Sequence, residues 1–457
     1  MRISRRTILK GAGALPLAAG NFGFTALAQT VPAAPSGSEI PPVLFVHGNG
    51  DHAALWLTTL WRMESNGVPR DRMFAINFTD PLARADDTKA EPNKSSTEDQ
   101  RRELGAAIEQ LKHRTGAPRV ALVGNSRGGN SIRGFIKNGG RADVSHAVLC
   151  GVPNHGVFDW DSGLNNEFNG RGPFLRGLNG GESEVTPGTT FLTLRSDGMD
   201  KYAQEDGRFV GKPGTPTGVN AEGPALKGAT NLVLGAVDHR ETAYSPRAFS
   251  EIYKFIAGRE PGRIAITPEA EVRLSGLVTG TPGGVQTNRP VADASVEIYR
   301  VSADSGERLG GAVHASQTGA DGRWGPAKVD PSWYLEMVLT SAGSTTTHFY
   351  RSPIPRSSDI VHLRAARPLG PADTGAGSVV LMSRPRGFFG LPRDVVVFDD
   401  KEPSDVKPGV PGDSISTLRL PAAEAGRPVP ALFNEERIVA RAWPAFENRI
   451  AIAELTY

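Results

Sequence analysis

Cys150 is the only cysteine in the sequence, so no disulfide can form within the chain and the fold must hold without one. There is no His-Glu-x-x-His and no cysteine cluster, which leaves metal-assisted hydrolysis without its usual ligand spacing. A charge excess of either sign is missing too: 51 basic against 49 acidic residues leave +2, and no Lys/Arg-rich run points to nucleic acid as a partner. No uninterrupted apolar run reaches the roughly twenty residues that a membrane span demands. With 39% apolar and 22% charged residues, the composition is far from that of chains that cannot fold. At 457 residues the chain exceeds what one core usually fills, so a domain of ordinary size plus at least one further module is expected.

What is present begins at the N-terminus. Ser4-Arg5-Arg6-Thr7-Ile8-Leu9-Lys10 leads into a Gly/Ala/Leu stretch broken by Pro16 and closes on Ala26-Leu27-Ala28. That pattern reads as a twin-arginine export signal over residues 1–28 with an Ala-x-Ala cleavage site, followed by a linker at 29–41. Cleavage after Ala28 would remove Arg2, Arg5, Arg6 and Lys10 and no acid, taking the net charge from +2 to −2. The expected destination is the periplasm or the medium, with no transmembrane segment in the mature chain.

From residue 42 to about 258, short β-branched runs alternate with helical patterns, the signature of a mostly parallel sheet covered by helices. The expected strands are residues 43–46, 73–78, 119–124, 146–150, 190–195 and 231–234. Between the second and third, Leu104, Ala107, Ile108 and Leu111 recur at helical spacing; Ser95 and Glu98 are read as a capping box, and Gly116 with Pro118 as the stop. Beyond Pro261-Gly262 the period changes to two. Val296 and Ile298 alternate with Glu297 and Tyr299, and Leu335, Met337 and Leu339 alternate with Glu336 and Thr340. A Pro/Gly/Ala-rich break at 368–377 divides this all-β tail into segments 263–366 and 377–457, which are either two small modules or one larger barrel. Cys150 ends an apolar run and reads as a small buried hydrophobe.

Gly124-Asn125-Ser126-Arg127-Gly128 follows the buried-strand run Val120-Ala121-Leu122-Val123 and precedes a helical stretch closed by Gly139. With 54 glycines in the chain the pentapeptide alone says little, but strand, tight turn and helix are the context that a G-x-S-x-G nucleophile elbow requires. In this it resembles the α/β-hydrolases. A serine hydroxyl is a poor nucleophile until a base takes its proton. His239 is the candidate base, because it follows a strand run and precedes the helical stretch 246–256, whereas His113 sits in a helix and His314, His348 and His362 in the tail read as solvated. The α/β-hydrolase order of serine, acid, histidine implies a carboxylate between them after a strand. Strand 189–196 runs into Asp197-Gly198-Met199-Asp200, so Asp200 is the first choice and Asp197 the second. His47-Gly48-Asn49-Gly50 follows the first strand; there the Asn49 backbone N–H, with that of Arg127, would form an oxyanion hole, and His47 itself is read as structural.

Taken with Gly151-Val152-Pro153-Asn154-His155-Gly156 and Val237-Asp238-His239, these blocks resemble the bacterial class 2 lipases over residues 42–257. A hydrolase domain followed by a β-rich tail is similar to two-domain lipases with a C-terminal β-barrel. The start of the tail, with Asp321-Gly322-Arg323-Trp324 after its first strands, is similar to transthyretin-like β-sandwiches, which implies an accessory role. Residues 203–227 form a Gly/Pro-rich insertion between acid and histidine that the minimal lipases lack. The loop-like stretch 157–185 carries Phe158, Trp160, Phe168 and Phe174, which serve either as a lid or acyl-chain wall or simply as packing under a long loop.

The sequence thus implies an α/β-hydrolase domain with a mostly parallel sheet, then an all-β sandwich or barrel. The expected activity is carboxylic ester hydrolysis of the lipase or esterase kind through an acyl-enzyme. No organic cofactor and no metal are implied, and the expected partner is an ester substrate, free or at a lipid or polymer surface. Polyester depolymerase, thioesterase and amidase are alternatives within the fold, and a surface-binding protein with a vestigial hydrolase domain is the alternative outside it.

Overall fold

The computed structural model describes residues 40–457. The twin-arginine segment, the site after Ala28 and nearly all of the 29–41 linker lie outside the described residues.

The apolar runs of the first half become six strands, β1 (Val43–Val46), β2 (Met73–Ala75), β3 (Val120–Asn125), β4 (Val144–Cys150), β5 (Thr190–Ser196) and β6 (Thr230–Leu234). They form one sheet in the order β2-β1-β3-β4-β5-β6, parallel throughout. Around it lie the helices α1 (Leu57–Ser65), α2 (Thr97–Thr115), α3 (Arg127–Lys137), α4 (Pro173–Asn179), α5 (Glu241–Tyr244) and α6 (Pro246–Ala257). Successive strand residues face opposite sides of a sheet, and here both sides are covered: Val43 and Phe45 enter one core, Leu44 and Val46 another. Two-sided burial explains why these strands read as continuous apolar runs.

Two local expectations are corrected. The second strand stops at Ala75 instead of reaching Phe78, because the Phe78 N–H turns away from the sheet and donates to His47 Nε2 at 3.1 Å. The capping box of α2 is Ser96 with Asp99, one residue later than Ser95 with Glu98. Ser95 is instead buried, donating to the Asp80 carbonyl and accepting from Arg127.

The tail contributes β7 (Val272–Thr279), β8 (Ser295–Val301), β9 (His314–Gln317), β10 (Arg323–Val329), β11 (Tyr334–Thr340), β12 (Thr346–Arg351) and β13 (Leu363–Arg364), then β14 (Ser378–Ser383), β15 (Val396–Phe398), β16 (Ile415–Leu420), β17 (Pro428–Phe433), β18 (Glu436–Arg441) and β19 (Arg449–Glu454). The break at 368–377 does not divide two sheets. One seven-stranded sheet runs β16-β14-β19-β12-β11-β8-β9, flanked by three-stranded sheets β10-β7-β13 and β15-β17-β18. In the large sheet β19, from the chain's end, lies between β12 and β14 and parallel to both.

Leu335, Met337 and Leu339 enter the core as their period demands, yet the opposite face of β11 is also covered. Glu336 is fully buried and accepts from Arg308, His348 Nδ1 and the Tyr350 hydroxyl, with Trp443 stacked on His348 at 4.2 Å. His348 and His362 are therefore buried, not solvated. His362 meets His52 edge-on at 5.4 Å, and burial drives its pKa down to about 3. The apolar core on one side of the parallel sheet runs without interruption into the tail, taking in Leu274, Ile298 and Trp324. No helix among the described residues is long and apolar enough to cross a membrane.

Candidate active site

At the carboxyl end of β3 the chain turns sharply into α3, and Ser126 at the turn has φ 52° and ψ −125°, a strained combination for a residue with a side chain. The flanking glycines follow from crowding. A Cβ on Gly124 would lie 2.6 Å from Ile132 Cδ1 and 2.8 Å from the Gly129 nitrogen; one on Gly128 would lie 2.4 Å from the His47 carbonyl oxygen. Gly128 thus lets the start of α3 press against the loop after β1. The two expected oxyanion donors, Asn49 and Arg127, belong to these two segments. Arg127 is the first residue of its helix and so has no intrahelical acceptor for its N–H. Gly48 is close too, though less so: its Cβ would lie 3.0 Å from Ser126 Cβ.

His47 holds this loop. Its Nε2 accepts from the Phe78 N–H, so Nδ1 carries the hydrogen and donates to the Gly48 carbonyl at 2.9 Å. Burial lowers its pKa to about 4, which keeps it neutral. The structural role expected of His47 agrees with this position.

His239 lies after β6 on a loop capped by α5, and its Nδ1 is 2.8 Å from Asp200 Oδ2. An ionised carboxylate only accepts, so this contact puts the hydrogen on Nδ1 and leaves Nε2 as a lone-pair acceptor. Nε2 is buried with no hydrogen-bond partner among the described residues. Asp197 lies elsewhere: its carboxylate accepts from the Ala236 and Met199 amides. Of the two candidate acids, Asp200 is the one brought to the imidazole.

Ser126, His239 and Asn49 line one cavity of about 230 Å³. Its apolar wall is Val157, Phe158, Phe168, Phe209 and Val210. Of the four aromatic residues considered from this stretch, Phe158 and Phe168 line the cavity. Trp160 stands one layer back, stacked on Phe158 at 4.3 Å and tied by its indole N–H to the Pro216 carbonyl at 2.7 Å. Phe174 is not on the wall; it belongs to α4, facing α3 near Gly134. Within the stretch 157–185, Leu175 and Leu178 are buried while Leu164 is 43% exposed. Cys150 is fully buried, and burial pushes its thiol pKa up.

Several residues of the site carried no recognisable signal. Asn125, an unspecified position of the elbow, donates from Nδ2 to the Cys150 carbonyl at 2.9 Å and the His239 carbonyl at 3.4 Å, tying nucleophile turn to histidine loop. Tyr202 meets the His239 ring edge-on at 4.7 Å. Arg240 and Asp51 face each other on the cavity wall, Nε to Oδ2 3.4 Å. Phe209 is the one aromatic of the 203–227 insertion, a clue that composition offered. Arg127, beyond its amide, has a guanidinium only 1% exposed. It pairs with Glu167 through Nε and Nη2 at 2.7 and 2.6 Å and donates to the Pro81 carbonyl and to the Ser95 hydroxyl and carbonyl.

Residues 42–183 match the palmitoyl protein thioesterase family model, and residues 270–368 match the lipase C-terminal domain. No curated protein matches the chain in sequence. Among solved structures, Aspergillus fumigatus lipase B is similar at 15% identity and a TM-score of 0.36, over 49% of this chain and 54% of its own. The Bacillus licheniformis lipase BlEst2 aligns at 18% identity and TM-score 0.30, over 48% of this chain and 92% of its own. The phospholipase PlaB of Legionella pneumophila aligns at 12% identity and TM-score 0.32, over 73% and 94% respectively. The parallel-sheet part of the chain is thus similar to the palmitoyl protein thioesterase family over residues 42–183, and the β-tail to the lipase C-terminal domain over residues 270–368.

Proposed function

We propose that the chain is an exported serine ester hydrolase working through an acyl-enzyme. Ser126 Oγ attacks the acyl carbonyl carbon while His239 Nε2 takes its proton. Asp200 holds the imidazole and stabilises its charged form, and the Asn49 and Arg127 amides receive the charge that develops on the carbonyl oxygen. The protonated imidazole then gives its proton to the leaving alkoxide, and water, deprotonated by the same nitrogen, releases the acid. The observation that carries the reading is one cavity with Ser126, His239 and Asn49 on its wall and Asp200 hydrogen-bonded behind His239. An oxyanion donor of this kind is worth about 10²–10³ in rate.

The apolar wall of Val157, Phe158, Phe168 and Phe209 suits an acyl chain. A thioester is the second reading, favoured by the match of residues 42–183 to the palmitoyl protein thioesterase family; the same steps apply with a thiolate leaving. The test is hydrolysis of p-nitrophenyl esters from acetate to palmitate, and of thioesters of the same acyl chains, by the mature protein and by Ser126→Ala. Turnover that disappears in Ser126→Ala supports the reading, and the ratio of kcat/KM between matched ester and thioester assigns the leaving group. Undiminished turnover in Ser126→Ala refutes it. Export by the twin-arginine route is checked by fractionation and N-terminal sequencing, with Gln29 expected as the first residue.

A further inference from the structure

Asp238, next to His239 in the chain, is fully buried, and its two carboxylate oxygens answer to different parts of the molecule. Oδ1 accepts from the Arg240 and Glu241 amides at 2.8 and 2.9 Å, capping α5 within the hydrolase domain. Oδ2 accepts from Arg384 Nη1 and the Phe388 amide, both at 2.7 Å, and both donors belong to the tail. Glu241 repeats the pattern. Its Oε2 accepts from the Asp238 amide at 2.6 Å and from Arg393 Nη1 at 2.7 Å, while Oε1 accepts from Arg384 Nη2 at 2.5 Å.

Every cation paired with these two carboxylates comes from residues 384–393. Arg384, 3% exposed, pairs with no other Asp or Glu among the described residues; its remaining side-chain bonds go to the Tyr244 hydroxyl and to the backbone oxygens of Phe388 and Tyr457. Without these cations, the histidine loop would hold a fully buried carboxylate, Asp238, and a partly buried one, Glu241, with neither of the arginines that pair with them, one on either side of His239. Buried charge of that kind is not tolerated in place: it is solvated by movement of the backbone or it is neutralised. The same tail segment reaches the acid loop, where Lys201, adjacent to Asp200, donates to the Gly412 carbonyl at 2.8 Å and lies 4.0 Å above the Phe388 ring. An earlier part of the tail, between β7 and β8, reaches the loop after β1: Asn288 Nδ2 donates to the Asp51 and Phe78 carbonyls at 3.0 and 2.9 Å.

We infer that the β-tail is a working part of the catalytic centre, and that Arg384 is a positioning residue which, through Asp238 and Glu241, sets the loop that presents His239 to Ser126. This rests on the reading of Ser126 and His239 given above. It departs from the accessory role that the tail's resemblance to generic β-sandwiches implied.

The experiment compares full-length Arg384→Gln, Arg384→Lys and the neutralised pair Asp238→Asn with Arg384→Gln against the parent and Ser126→Ala. Active sites are titrated with a phosphonate, and kcat per titrated site, KM and the rate of phosphonate labelling are read. A merely structural role lowers the number of titratable sites and leaves kcat per site unchanged. Positioning lowers kcat per site and the labelling rate together, by at least 10-fold in Arg384→Gln, with KM within about threefold. Arg384→Lys should recover part of the loss, because one ammonium replaces only one arm of the fork. If Arg384→Gln does not fold, the neutralised pair, which strands no charge at Asp238, is judged by the same criterion. A kcat per site within twofold of the parent in these folded variants overturns the inference. Turnover persisting in Ser126→Ala would instead overturn the reading on which it rests, so the two failures are told apart.

Discussion

Replacing Glu167 with alanine removes the one carboxylate paired with Arg127, a residue whose side chain is 1% exposed and whose partner is 3% exposed. Breaking a buried pair by deleting one member costs about 3–5 kcal/mol, since the remaining charge stays buried. Arg127 keeps three acceptors, the Pro81 carbonyl and the hydroxyl and carbonyl of Ser95, at 3.0, 2.9 and 2.8 Å, so the lower end, about 3 kcal/mol, is expected. At about 2–4 °C per kcal/mol for a domain of 150–250 residues, Tm should fall by about 6–12 °C. Arg127 also opens α3 and, in the mechanism proposed above, supplies an oxyanion amide, so kcat should fall too, by about 10-fold, less than the 10²–10³ for losing such a donor outright. The assay is thermal unfolding by near-ultraviolet circular dichroism alongside ester kinetics. Arg127→Met with Glu167→Leu, which removes both charges and keeps most of the volume, should return Tm to within about 3 °C of the parent. A Glu167→Ala protein melting within 1 °C of the parent would refute the reasoning, and so would a double variant less stable than the single one.

Asp200→Asn should lower kcat by about 10³–10⁴ with little change in KM, because the amide no longer fixes the imidazole hydrogen on Nδ1. Asp197→Asn, whose oxygens serve the Ala236 and Met199 amides, should cost less than 10-fold, and equal losses in the two would contradict the assignment. His47 supplies a pH dependence. Its pKa is about 4 in the fold, against 6.5 ordinarily, so between those values the unfolded chain binds the extra proton and stability rises with pH. About 3 kcal/mol is fully present above pH 6.5 and lost as pH falls toward 4; denaturant unfolding from pH 7 to 4 should show a slope of that sign, and His47→Gln should reduce it without abolishing it, because the buried His362 and His52, also lowered, contribute in the same direction. Phe158→Ala and Phe168→Ala should raise KM for long-chain more than for short-chain esters, while Phe174→Ala should alter stability alone; chain-length dependence that moved with Phe174 would contradict the cavity wall drawn here.

What the sequence disclosed, and what it withheld, follows from how local each interaction is. Ser126 was legible because its strain is created by the residues beside it: β3 before, α3 after, glycines where backbone crosses backbone. The six strands were legible because a parallel sheet buried on both faces leaves runs such as Val120-Ala121-Leu122-Val123 with no polar residue. Asp200 could be narrowed to a loop but not separated from Asp197, since the choice depends on which carboxylate reaches an imidazole some forty positions away. Arg127 with Glu167, 40 positions apart, and Arg384 with Asp238, 146 positions apart, left no trace in spacing. Ion pairs have no period, and an arginine in sequence gives no sign that it is buried.

The same reasoning explains the errors in the tail. Alternation at 335–340 was read correctly as strand, but period two says only that the two faces differ, not that one faces water. β11 has Leu335, Met337 and Leu339 on one side and, on the other, Glu336 bonded to Arg308, His348 and Tyr350. His348 and His362, expected to be solvated for lying in the tail, are buried because both faces of its strands are covered. The break at 368–377 left two modules and one larger barrel open for a related reason: Pro and Gly mark where a chain turns, and they carry no information about which sheet it enters next. Here β14 and β19 join the sheet that β12 already belongs to, and the return places Arg384, one residue past β14, against the carboxylate beside His239. A tail that began as a separate module in the sequence thus ends, in space, on the histidine loop. The linker between the segments is therefore a poor place to truncate, because a chain ending near residue 366 would keep Asn288 on the loop after β1 but lose every cation facing Asp238 and Glu241.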